Sequence, residues 1–113
     1  LLRSQGVNWA DIDVVEINEA FAAQVLAVLE ALSSDGFARE KLGLGSAFAS
    51  IDMDRINTWG GSLSLGHPFG ATGARLLTTA VERLEDEDGE LALVTACAAG
   101  GLGHAMLVER AGA

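Results

Sequence analysis

The chain has 113 residues, with seven Lys and Arg against 16 Asp and Glu for a formal charge of −9, and half of its residues are apolar. This length suits one domain of the usual ~100–200 residues, and the apolar share supports a packed core rather than a disordered tail. Nine excess negative charges repel phosphate backbones and anionic lipid, so neither nucleic-acid binding nor membrane insertion is expected.

The chain opens Leu1-Leu2-Arg3 without an initiator Met, and it holds no signal-peptide pattern and no apolar run near the ~18–20 residues of a spanning helix. It reads as a soluble, cytoplasmic protein and as the C-terminal piece of a longer one. Residues 1–10 look like a helix end closed by Gly6, a left-handed capping position. Val14, Val15 and Ile17 predict a short buried strand. Asn18 stands where a helix cap belongs, with Glu19 in the first turn near the positive end of the dipole. Phe21, Val25, Val28, Leu29 and Leu32 recur at helical spacing through 19–32 among alanines, which suits a helix buried in a larger assembly. Residues 33–56, with turn clusters at 33–36 and 41–46, read as a surface excursion with one helical turn.

Residues 57–73 contain five of the 14 glycines and the only proline. Ala74, Leu77, Val81 and Leu84 then predict a helix over 71–85, and the acidic run 85–90 marks a solvated exit. Residues 91–95 read as a buried strand, Cys97 to Gly103 as a glycine turn, and 105–108 as a returning strand, with His104 a polar residue entering it. The order strand–helix–loop–helix–strand–strand predicts an α/β layered fold in one domain, residues 1–113.

Three polar residues stand at turns or element ends, where reactive groups are usually presented: Asn18, His67 and Cys97. Asn18 is an N-cap or a site residue. His67 is structural or a proton carrier, its direction constrained by Gly66 and Pro68 and its pKa range suited to transfer near neutrality. Cys97, the only cysteine, is a small buried hydrophobe or a thiol tuned by the backbone N–H groups of the glycines after it. A lone cysteine excludes an internal disulfide framework and a thiolate-rich metal cluster. Gly66, Gly70 and Gly73 lack the Lys-Ser/Thr pair of a phosphate loop and the dinucleotide spacing. His67, Cys97 and His104 are not clustered at metal-ligand spacing, so no metal is expected.

Taken in order, Asn18-Glu19-Ala20-Phe21, then Gly60-Gly61 through Leu65-Gly66-His67-Pro68-Phe69-Gly70-Ala71-Thr72-Gly73-Ala74-Arg75, then Cys97 through Gly103, resemble the C-terminal catalytic motifs of thiolases. The resemblance spans nearly the whole chain. The Gly-His-Pro block is its most specific part, and the wording of the motifs is similar to thiolases of fatty-acid β-oxidation. A thiolase cleaves 3-ketoacyl-CoA with CoA to acetyl-CoA and a shortened acyl-CoA, or runs the reverse Claisen condensation, with coenzyme A as substrate and no resident cofactor.

By that resemblance, His67 takes the proton of the cysteine thiol that becomes acylated and helps form an oxyanion hole. Asn18 holds the water that completes the hole, and Cys97 is the acid/base at the acetyl α-carbon. Phe21 walls the acyl end, the Ala99 N–H is a second oxyanion donor, and Gly66 lines the substrate. Ala99 departs from the glycine frequent at its position, and 36–56 is longer than in short-chain biosynthetic thiolases. The acylated cysteine and most of the CoA loop lie, in the family, upstream of residue 1. The resemblance therefore implies a missing N-terminal thiolase half as partner, a homodimer or tetramer, and a hydratase/dehydrogenase subunit as a further partner. A sterol-carrier-type thiolase, a ketoacyl synthase and a non-catalytic assembly module are the alternatives; synthases typically use two histidines and no second cysteine, which Cys97 disfavours. The family also builds each half around its first strand. The chain is then expected to lack that central strand, so that 13–17 and 91–97 either flank a gap that another chain fills or close on each other.

Overall fold

A computed structural model describes residues 1–112. The β-branched run Val14–Ile17 forms strand β1, buried at all four positions. Such two-sided burial is what a parallel strand covered on both faces requires. β1 pairs in parallel with β2 (Leu91–Ala98), Val14 opposite Ala92 and Ile17 opposite Thr95. β2 pairs antiparallel with β3 (Leu102–Glu109), Cys97 opposite Gly103. The three-stranded sheet therefore runs β1-β2-β3.

Of the two arrangements expected for residues 13–17 and 91–97, direct closure is the one observed, and no gap separates them. The physical reason is the backbone: with nothing between them, β1 and β2 satisfy one another's N–H and C=O groups, which would otherwise be left unpaired. The outer edge of β1 is finished by a single bridge from Val15 to Ile56 and by a side chain. Asn57 accepts from the Ile17 N–H and donates to the Ile17 carbonyl, both at 2.8 Å, as a neighbouring strand would. Its φ of 50° is a left-handed conformation that asparagine tolerates better than most residues.

Helices cover the two faces. α1 (Leu2–Gln5) ends at Gly6 with φ 68°, as the sequence predicts. α5 (Thr72–Asp86) lays Leu76, Ala80 and Leu84 on Val14, Ala92 and Val94. The opposite face packs Val15 and Ile17 with Leu2 and Ile12, joined by Val25, Trp9, Phe48, Leu93 and Leu107. α2 (Ala22–Leu32) begins three residues later than its apolar spacing suggests. Asn18 and Glu19 are consequently not its cap and first turn: Phe21 occupies the cap position, and no side chain bonds there. Only Leu29 of this helix is buried.

The excursion 33–56 contains α3 (Asp35–Phe37), which widens into π turns over Ala38–Leu42, and a 3-10 turn at Met53–Arg55. That is more helix than the one turn expected. The acidic run does lie exposed at the end of α5, with Glu87 held by Arg83 and Asp88 by Arg110. β2 continues through Cys97 to Ala98 and β3 starts at Leu102, so the glycine turn is only 99–101. Cys97 and His104 are strand residues, contrary to the turn positions expected from the glycines. The antiparallel ladder explains the difference: it extends as far as cross-strand partners exist, and Gly103, without a side chain, does not prevent pairing with Cys97.

Candidate active site

The site forms where the C-terminal ends of the parallel pair β1–β2 meet the loop that starts α5, the usual ligand position of an open α/β sheet. Asn18 follows β1 directly. Its backbone N–H donates to the Thr95 carbonyl at 2.8 Å, which carries the parallel pairing one residue past the strand. Cys97 is the penultimate residue of β2. Alternation along the strand puts it on the side of Leu91 and Leu93, away from α5. His67 lies between the one-turn helix α4 (Ser62–Leu65) and α5. Between them is a cavity of about 770 Å³ lined by Asn18, Phe21, His67, Cys97 and Ala99, with Gln24, Phe69, Thr72 and Leu76 among its other walls.

Five of the six residues singled out from the sequence thus share one cavity. Gly66 is the exception. It is exposed, and its φ of 103° with ψ 167° is a backbone region essentially restricted to glycine. Its contribution is the turn that leads from α4 into His67. The next strained position is Phe69, at φ 33°, whose ring packs edge-on to His67 with centroids 5.6 Å apart. His67 Nδ1 lies 2.5 Å from Thr72 Oγ1, so its other ring nitrogen, Nε2, is left for the cavity. Thr72 is buried at the first turn of α5, and the sequence reading gave it no role of its own. His67 and Cys97 face the cavity without a direct hydrogen bond between them among the described residues.

Glu19 has a role other than the helix-dipole partner expected for it. Its carboxylate accepts from Leu63 N–H at 3.0 Å and from Asn57 Nδ2 at 2.9 Å. It thereby caps α4, whose cap residue Gly61 has no side chain to do so. A Cβ on Gly61 would lie 2.4 Å from that carboxylate, which is why glycine is needed there. Asn18 Oδ1 accepts from the buried Ser62 hydroxyl at 2.7 Å. The first and second motifs are therefore stitched together twice, by Glu19 and by Asn18.

Behind the site, Arg83 on α5 is buried against β1. Its Nη1 donates to Glu16 Oε1 at 2.8 Å and to the Val15 carbonyl at 3.3 Å, and its Nε to Glu87 Oε1 at 2.7 Å. Burial pushes the Glu16 carboxyl up, and the Arg83 hydrogen bond and charge offset part of that rise. Burial also pulls the guanidinium down, but the two carboxylates outweigh it and hold Arg83 firmly charged. No group of three or more metal-ligating side chains occurs among the described residues.

Comparison with known proteins identifies the family. The sequence profile of the family "Thiolase, C-terminal domain" matches residues 1–110. The chain belongs to the thiolase family. A probable 3-ketoacyl-CoA thiolase of Caenorhabditis elegans is 53% identical over 112 residues, covering 99% of this chain and 25% of the relative. A 3-ketoacyl-CoA thiolase of Colwellia psychrerythraea is 54% identical over 96% of the chain and 25% of its own length. The mitochondrial trifunctional enzyme subunit beta of Bos taurus is 52% identical over 96% of the chain and 23% of its own length. Among solved structures, acetyl-CoA acetyltransferase from Syntrophomonas wolfei superposes with a TM-score of 0.77 at 34% identity, covering 96% of this chain and 25% of that one. The chain spans about a quarter of the relatives it matches.

Proposed function

We propose that this chain supplies the Asn18, His67 and Cys97 portion of a thiolase active site that cleaves 3-ketoacyl-CoA with CoA, or runs the reverse condensation. The observation that supports this reading is that three motifs far apart in sequence converge on one cavity at the strand ends. The residue types suit the reaction. His67, with Nδ1 engaged by Thr72, offers Nε2 to take the proton of a nucleophilic thiol contributed by the rest of the enzyme, and then to hold a thioester oxygen. Cys97 moves the proton at the acetyl α-carbon. Asn18 holds a water that completes the oxyanion site, and the Ala99 N–H serves as a further donor. Phe21 walls the acyl end.

Coenzyme A enters as substrate and no resident cofactor is invoked. Residues 1–113 act as part of the C-terminal domain, with the N-terminal thiolase half as the necessary partner. The working enzyme is a cytoplasmic homodimer or tetramer; the subunit-beta relative supports an additional hydratase/dehydrogenase subunit. Among the described residues no helix is long and apolar enough to cross a membrane.

The test is CoA-dependent cleavage of a 3-ketoacyl-CoA by the full-length polypeptide carrying this chain, followed as release of acetyl-CoA. Activity is expected there, with losses of at least a hundredfold in kcat for H67A and C97A. The 113-residue chain alone is expected to show none. Full-length protein without thiolysis, or thiolysis undiminished in C97A, would overturn the reading.

A further inference from the structure

We infer that Ser62 is a positioning residue that fixes which end of the Asn18 carboxamide faces the cavity, so that this point of the site is an obligate hydrogen-bond donor. The inference rests on the functional reading above only for its kinetic arm. Ser62 sits at the start of α4, is 7% exposed, and lies 2.7 Å from Asn18 Oδ1. On its other side, Arg75 Nη2 reaches Ser62 Oγ at 3.5 Å. A guanidinium can only donate, so Ser62 Oγ accepts from that side, and its single proton has one remaining direction, toward Asn18.

The alternative orientation is excluded by the same count. If Asn18 were flipped, its Nδ2 would meet Ser62 Oγ, which would then accept from two donors while its own buried proton found no acceptor. An unpaired buried hydroxyl is the more expensive state. Arg75 reinforces the direction by charge, because its Nε and Nη1 are buried without hydrogen-bond partners and the guanidinium holds its field on the Ser62 oxygen. Asn18 is itself 3% exposed and pinned by its backbone bond to Thr95, so the carboxamide cannot relax by moving the chain. With Oδ1 engaged, both Nδ2 protons are directed away from Ser62. The group recognised beside Asn18 is then a lone-pair oxygen, a carbonyl or a water, and not an N–H donor. The sequence singled out Asn18 but not Ser62, which stands 44 residues later in the stretch where only His67 and the glycines drew attention.

The experiment is a double-mutant cycle in the full-length polypeptide, with kcat and KM for a 3-ketoacyl-CoA measured for wild type, S62A, N18A and the double variant, alongside neutron crystal structures of deuterated wild type and S62A. S62A is expected to lower kcat on the order of tenfold, as loss of fixed orientation does, while KM stays within about twofold. In the N18A background, removing Ser62 should change kcat by less than about twofold, because there is no carboxamide left to aim. An S62A kcat within twofold of wild type, or an equal loss in both backgrounds, overturns the inference; the latter result would make Ser62 merely structural. Absence of thiolysis in the wild type instead sinks the functional reading and leaves the crystallographic arm to decide. There, with Oδ1 and Nδ2 told apart by their deuterons, an Asn18 carboxamide flipped or split between orientations in S62A supports the inference, and one that keeps the wild-type orientation overturns it.

Discussion

Gly61 and Glu19 show how closely single residues are matched at this site. The Glu19 carboxylate occupies the space where a Gly61 Cβ would stand, and from there it caps α4 and holds Asn57. In G61A the carboxylate must leave, releasing both bonds. G61A and E19A are therefore each expected to lose about 1–3 kcal/mol of unfolding free energy, the scale of a buried group left unpaired. The double variant should be no worse than either single one, since both remove the same bonds; denaturant unfolding of the four proteins checks this. Additive losses would show that Gly61 matters for another reason.

Asp13 makes a pH-dependent contribution at the other end of β1. It accepts from the N–H groups of Glu90 at 2.7 Å and Leu91 at 3.0 Å, anchoring the start of β2. These bonds hold its carboxyl below the ordinary value of 3.8. A depressed folded value means the stabilisation is complete above the ordinary carboxylate range and is lost as pH falls through the folded value. The stability advantage of wild type over D13N should thus be constant near neutrality and shrink below about pH 4. Because Asp13 is exposed, the advantage should be modest, about 1 kcal/mol or less.

At the scale of elements, the α5–β1 contact combines an apolar stripe with one buried ion pair. Leu76, Ala80 and Leu84 give the stripe, while Arg83 and Glu16 place two charges in the same interface. Removing one partner leaves the other charged and buried, so R83M is expected to cost about 3–5 kcal/mol. The double variant E16L/R83M should regain most of it, because no charge is then stranded. The Glu16 carboxyl is raised by burial and loses its counter-charge in R83M. Folding then favours its protonated form, so the R83M defect should be smaller at pH 5 than at pH 8. Thermal melts at the two pH values distinguish this from a packing defect, which would be the same at both.

For the whole molecule, the surface is the outstanding feature. Phe69 is 86% exposed, Phe21 72%, Leu102 67% and Leu63 62%, and the first two line the cavity. Monomeric soluble proteins rarely leave that much large apolar surface together. The isolated 113-residue chain is expected to bind a hydrophobic dye such as ANS and to sediment as a concentration-dependent associating species. A chain that stays at 11.7 kDa across micromolar concentrations without dye binding would contradict this.

The sequence alone determined the family and most of the elements, and it named five residues that line one cavity. β1, α5 and the ends of α1 follow from local chemistry: β-branching, a 3.6-residue apolar spacing and a left-handed glycine cap. These candidate residues were legible because their motifs are contiguous words. The tertiary structure decided what depends on partners distant in the chain. Glu19 and Asn18 read locally as helix-start residues, but Leu63, Asn57 and Ser62, some 40 residues away, offer them better hydrogen bonds, and α2 starts later in consequence. Cys97 reads as part of a turn because glycines follow it, yet β3 supplies a cross-strand partner and the ladder takes it in. Direct pairing of β1 with β2 is likewise a choice among long-range partners, made because adjacent parallel backbones satisfy one another's N–H and C=O groups.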